Sequence, residues 1–156
     1  MSTTRAALIA TRDETLRALQ SPPAMLSRSY APGKWSMRQL LLHLVDCEGV
    51  LLDRLRRLAA DDKPLLWAYD QDRWVAELAV DGRSLETAAA LFAATRNAVI
   101  ELATLLPADR HARAGIHSEA GRKTFAEVLE TVHRHNAHHL GQVRACAAGS
   151  VWRAAG

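Results

Sequence analysis

Seven histidines occur in the 156-residue chain, and four of them crowd into Val132-His133-Arg134-His135-Asn136-Ala137-His138-His139-Leu140-Gly141-Gln142. On a helix turning about 100° per residue, Val128, Val132, His135, His139, Gln142 and Cys146 share one face. The apolar stripe of that helix therefore runs through two histidines and a glutamine. Burying two imidazoles one turn apart is costly unless something pairs with them. Histidines at i and i+4 project side by side, about 6 Å apart along the axis, and both can reach one divalent cation. By the same arithmetic His138 lies about 100° and His133 about 120° from the stripe centre, at the boundary or in solvent. Core histidines satisfied by ordinary hydrogen bonds are the blander alternative.

A third ligand has to come from another helix, and His43 is the histidine available there. It sits at the edge of an apolar face, about 80° from its centre, where a substrate could reach it. Three neutral imidazoles leave a coordination position for water or substrate, the composition of a catalytic rather than a closed structural site. Zinc fits that ligand type best, with nickel, iron and manganese also accommodated. Asp46, Glu48 and Gln142 are candidates to orient the ligands or a bound water, Gln142 being the best placed and a merely solvated Asp46 the alternative. Cys47 and Cys146 read as buried thiols filling core space, and there is no CxxC pair to hold zinc by thiolates. His111 and His117 precede the last helix, where one could fold over the site.

Four long helices must position these residues. The first is expected over residues 3 to 20, stopped by Pro22-Pro23, which remove amide donors and clash with the preceding turn. A long connection follows to Lys34. The second helix opens at Ser36-Met37-Arg38-Gln39, a capping box, and ends near Asp61-Asp62-Lys63-Pro64. A short extra helix is expected around Gln71 to Leu78, then a turn at Asp81-Gly82. The third helix spans about Ser84 to Leu106 and stops at Pro107. The polar stretch from Ala108 to Lys123 reads as loop, since no convincing strand alternation is present. The fourth helix opens at a second capping box, Thr124-Phe125-Ala126-Glu127, and ends near Gly149. The fold class is all-α, one domain over residues 1–156.

Composition narrows the functions open to such a domain. The apolar fraction is 49%, the charged fraction 24% and the net charge +3, an ordinary globular balance. The densest basic group, Arg54, Arg56 and Arg57, is interleaved with Asp53, Asp61 and Asp62, and aromatics are only 5% of the chain. A nucleic-acid groove needs a basic stripe with stacking aromatics, so nucleic acid is not an expected partner. No uninterrupted apolar run approaches the roughly 20 residues of a membrane span. The N-terminus lacks a signal-peptide core, which leads us to expect a complete, cytoplasmic protein acting on a small-molecule substrate. Trp67 and Trp74 suggest a partly aromatic pocket or interface.

The stretch Lys34-Trp35-Ser36-Met37-Arg38-Gln39-Leu40-Leu41-Leu42-His43-Leu44-Val45-Asp46-Cys47-Glu48 resembles the second-helix motif of the DinB-like superfamily. The stretch His135-Asn136-Ala137-His138-His139-Leu140-Gly141-Gln142 resembles its fourth-helix HxxHHxxQ motif, and Tyr69-Asp70-Gln71-Asp72-Arg73-Trp74 its middle segment. The resemblance covers nearly the whole chain. It implies a four-helix bundle with an unusual helix order and long crossover connections, and often a homodimer. It also implies a metal centre of three histidines, which falls on His43, His135 and His139. Relatives with assigned activities include thiol-dependent S-transferases and isomerases, so a low-molecular-weight thiol is an expected cofactor at family level. Two functions follow: a metal-dependent enzyme, either S-transferase or small-molecule hydrolase, or a non-catalytic metal-binding stress-response module.

Overall fold

Two capping boxes start the helices that carry the histidines. In α3 (Met37–Ala60) the Ser36 hydroxyl accepts from the Gln39 amide at 3.2 Å, and the Gln39 side chain accepts from the Ser36 amide at 2.8 Å. In α7 (Phe125–Ala148) Thr124 and Glu127 exchange the same bonds, and Gly149 ends the helix at φ 64°. These pairs satisfy amides that a helix start otherwise leaves open. The other long helices are α1 (Ser2–Ala18) and α5 (Leu85–Leu105). The short helices α2 (Pro23–Leu26), α4 (Gln71–Glu77) and α6 (Ala108–His111) lie in the connections. This computed structural model describes residues 2–153. The ends of the expected 1–156 domain, Met1 and 154–156, lie outside them.

Two apolar clusters fix how the helices run. One joins Leu8 of α1, Leu51 to Ala59 of α3, Val99 and Ile100 of α5, and Phe125 to Val132 of α7. The other joins Leu19 after α1, Met37 to Val45 of α3, Ala88 and Phe92 of α5, and Val143 and Cys146 of α7. Hence α1 and α7 point one way, while α3 and α5 point the other. Because α3 and α5 are parallel, the segment between them must travel back along the bundle. It does so as α4 and a 3₁₀ turn (Val80–Gly82), with Val75 and Val80 buried against α3.

The segment expected to be loop before α7 is instead a small sheet. Strands β2 (Ala114–His117) and β3 (Gly121–Thr124) pair antiparallel, and β1 (Leu65–Leu66) joins β2 in parallel. Runs this short carry too few alternations to be read from sequence. Gly115 is required here: a Cβ on it would lie 2.5 Å from the Pro64 carbonyl oxygen.

Between the two clusters lies a layer of buried polar groups. Arg96 of α5 is 0% exposed. It makes a two-pronged ion pair with Glu48 of α3 at 2.6 and 2.7 Å, and donates to Thr11 and the Leu8 carbonyl of α1. Asn136 of α7 reaches Thr15 of α1 at 3.4 Å. By length and mean hydropathy (1.3) α5 could cross a membrane, yet here this ion pair sits in its middle. Removing one partner of a buried pair strands the other charge, at a cost of about 3–5 kcal/mol. Glu48→Ala is therefore expected to lower unfolding free energy in urea by about that amount. A loss under ~1 kcal/mol would show that the pair does not hold the three helices in register.

Candidate metal centre

The imidazoles of His43, His135 and His139 converge in this polar layer. One ring nitrogen from each lies within 4.8 Å of the other two. His43 Nε2 and His135 Nε2 are 3.1 Å apart, and the ring centroids are separated by 4.5 to 5.0 Å. Nitrogens at about 2.05 Å from a tetrahedral ion stand roughly 3.3 Å from one another, so the donor set fits a single divalent cation. Its chemistry fits too. Burial, followed by repulsion from neighbouring imidazoles, holds His43 and His135 down to about 3. Burial holds His139 down to about 4, partly countered by its hydrogen bond to Gln142. Rings with such values are neutral at pH 7 and offer lone pairs to a cation.

Gln142 sets the orientation of His139. Its Oε1 lies 2.7 Å from His139 Nδ1, so the ring donates there and leaves Nε2 unprotonated. Gln142 in turn lies 3.4 Å from the Tyr30 hydroxyl and 3.4 Å from His138 Nε2. Asp46 and Glu48 do not share this task, contrary to expectation. Asp46 accepts two bonds from Arg83 at 2.7 Å, and Glu48 is taken up by Arg96. Carboxylates with guanidinium partners at such distances gain more from those pairs than from a neutral imidazole. Cys47 and Cys146 are buried among core side chains, outside the histidine cluster.

The edge and the centre of the two stripes are exchanged relative to the sequence reading. His43, placed at an edge, is 2% exposed. Residues Leu40 to Val45 are all buried, because α5, α7 and the returning segment together surround this part of α3. His135, placed at the stripe centre, is half-buried, while its neighbour Asn136 is buried. The extra packing of α7 on α1 turns the buried face toward Asn136. Access to the centre is therefore on the His135 side. There a cavity of about 690 Å³ is lined by His133, Arg134, His135, His138 and Trp152.

His138 is exposed and His133 half-buried, as their helical angles imply. Neither histidine of the segment before α7 reaches over the site. His111 packs against Phe125 at 4.9 Å, and His117 Nδ1 accepts the Glu119 and Ala120 amides in the hairpin turn. Two aromatic walls escaped the periodicity argument. Trp35 lies 5.1 Å from the His43 ring and 6.4 Å from His139. Trp152 returns from beyond α7 to lie 4.7 Å from His138. Its indole nitrogen would be 2.8 Å from a Cβ at residue 141, which is glycine. The tryptophan beside the first capping box and the glycine inside HxxHHxxQ were the signals available.

Known proteins resemble this chain in sequence and in fold. Two proteins of Oceanobacillus iheyensis, named "Putative metal-dependent hydrolase OB0413" and "Putative metal-dependent hydrolase OB0782", are similar in sequence. The first is 24% identical over 131 residues, covering 84% of this chain and 74% of the relative. The second is 26% identical over 127 residues, covering 81% and 73%. YfiT from Bacillus subtilis, described as "a probable metal-dependent hydrolase with an unusual four-helix bundle topology", superposes with a TM-score of 0.87 at 18% identity. That match covers 95% of this chain and 86% of YfiT, and establishes the shared fold. The model of the DinB superfamily matches residues 7–143, and with that span of the chain accounted for, the protein belongs to the DinB superfamily.

Proposed function

We propose that the protein is a metal-dependent hydrolase of a small molecule, with His43, His135 and His139 holding one divalent ion, zinc by ligand type. The observation that carries the reading is the convergence of three neutral imidazoles beside a cavity that reaches only one of them, His135. When bound, the ion supplies Lewis acidity and lowers the pKa of a water it coordinates. The chain's own part is to hold the ligands and shape access. Gln142 fixes the His139 tautomer, and Trp35 packs against the His43 and His139 rings. The names of the Oceanobacillus relatives support the reaction class. A low-molecular-weight thiol occupying the same open position would give an S-transferase instead, and the experiments below separate the two.

Elemental mass spectrometry on untagged protein is expected to find about one divalent ion per chain. His43→Ala, His135→Ala and His139→Ala are each expected to abolish it. A wild-type chain that neither carries nor accepts metal removes the proposal. Metal present at a hundredfold over its Kd should add about 2.7 kcal/mol of stability, read as a chelator-sensitive melting temperature. Stability gained with no turnover of ester, amide or thiol-acceptor panels supports the non-catalytic reading. Cobalt spectra that shift with thiols but not with pH point to transfer rather than hydrolysis.

Gln142→Ala should weaken metal affinity about 10–100-fold while leaving the fold intact. Unchanged affinity would show that His139 needs no orienting partner. The metal-free protein should also respond to acid in a defined direction. The folded-state values of the three imidazoles lie below their ordinary 6.5. The unfolded chain therefore binds more protons between those values, and stability rises with pH. It is fully present above about 6.5 and is lost as pH falls toward 4. Urea midpoints measured in chelator should drop between pH 7 and 5, where carboxylates stay ionised. A flat profile would contradict buried, neutral ligands.

A further inference from the structure

A second cavity, of about 630 Å³, lies along the other side of α3, between that helix, α5 and the returning segment. None of His43, His135 and His139 lines it; its wall begins at Val45 and Asp46, and Arg54 at its far end follows His43 by eleven residues, about 16 Å along the helix. Its volume is in the range of small-ligand sites. The walls are apolar and aromatic: Leu65, Trp67, Tyr69, Trp74 and Leu91, with the Tyr69 and Trp74 rings 4.4 Å apart. Trp67 is 71% exposed, and Leu65 and Leu91 are each more than half exposed. Large apolar side chains grouped in a concave surface mark a binding site more often than scattered ones do.

Two polar atoms in this wall are poorly partnered. Among the described residues nothing hydrogen-bonds Arg54 Nε, and Tyr69 Oη has only the Cys47 thiol, although both atoms are out of water. Arg54 donates through Nη2 to the Trp67 carbonyl, and among the described residues it enters no ion pair. The carboxylates of the same wall are already taken: Asp46 by Arg83 and Asp53 by Arg57. Tyr69 faces the Cys47 thiol, a weak acceptor. Burial raises its hydroxyl above the ordinary range, so it stays a neutral donor. A buried donor without an acceptor calls for a missing partner. An unpaired guanidinium and a phenol beside two indoles select a carboxylate on a flat apolar body.

We propose that this cavity is a ligand site for a small aromatic organic acid, its carboxylate held by Arg54 and Tyr69 and its ring by Trp67 and Trp74. The test uses 2-naphthoate and its neutral analogue 2-naphthalenemethanol, titrated into ¹⁵N-labelled protein with and without chelator. Saturable shifts at the Trp67 and Trp74 indoles are expected, with naphthoate preferred by about tenfold or more through its charged hydrogen bonds. Arg54→Gln should erase that preference and Tyr69→Phe reduce it. Trp67→Ala should weaken both compounds by about tenfold, and Arg56→Gln, on the exposed face of α3, should change neither.

The absence of saturable shifts at millimolar probe would overturn the proposal. So would a preference that survives Arg54→Gln, or binding that disappears with chelator and so belongs to the metal centre. Sedimentation supplies the last outcome: a dimer that Trp67→Ala dissociates would make this face a contact between two copies of the chain, not a ligand site. Because naphthoate binding here does not require metal, its failure and the failure of the hydrolase reading are distinguishable.

Discussion

Three imidazoles kept uncharged and largely withdrawn from water are the constraint around which this bundle is arranged. Each ring is a polar group removed from solvent, and an apolar interior offers it nothing in return. The fold answers by placing them in one layer with the other buried polar groups, between two apolar clusters. In that layer Glu48 meets Arg96, Arg96 meets Thr11, and Asn136 meets Thr15. Every one of these contacts joins two different helices. Sliding α7 by one turn would exchange one aliphatic contact for another at modest cost. The same slide would separate His135 and His139 from His43 and part Asn136 from Thr15. Polar groups thus set the register, and the apolar clusters supply the bulk of the burial.

The long helices were legible because their signals are local. Ser36 with Gln39, Thr124 with Glu127, and Gly149 each act within one turn of the chain they cap. His139 and Gln142 were legible for the same reason, being three residues apart on one face. The relative burial of His43 and His135 was not. Which residue of a helix is deepest depends on how many neighbours surround it, and α3 has neighbours on nearly every side. The sheet was missed because Leu65–Leu66 and Ala114–His117 acquire their meaning only from each other. The carboxylates misled for a similar reason: Asp46 and Glu48 stand one turn from His43, but their guanidinium partners lie 37 and 48 residues away.

The parallel run of α3 and α5 has consequences for both cavities. A helix pair joined by a tight turn would be antiparallel, and no chain would need to cross its face. Here the return from Asp61 to Ser84 must lie along the bundle, and it brings Trp67, Tyr69 and Trp74 with it. Arg38 anchors this segment through the Val80 and Arg83 carbonyls, and Arg83 grips Asp46. The returning segment thus lines the α3–α5 side of the bundle with aromatic groups. The cavity beside the metal centre lies instead along α7, where Trp152 is its aromatic wall.

That asymmetry bears on how a cation would be held. In an unfolded chain, assembling three imidazoles around an ion costs conformational entropy and, below neutral pH, the release of bound protons. In the folded bundle both costs are already met. Packing fixes His43 and His139, Gln142 fixes the His139 tautomer, and burial keeps all three rings unprotonated. His135 alone retains a partly exposed flank, so the ligand nearest solvent is also the one beside the cavity. A cation entering there would meet a donor set already formed.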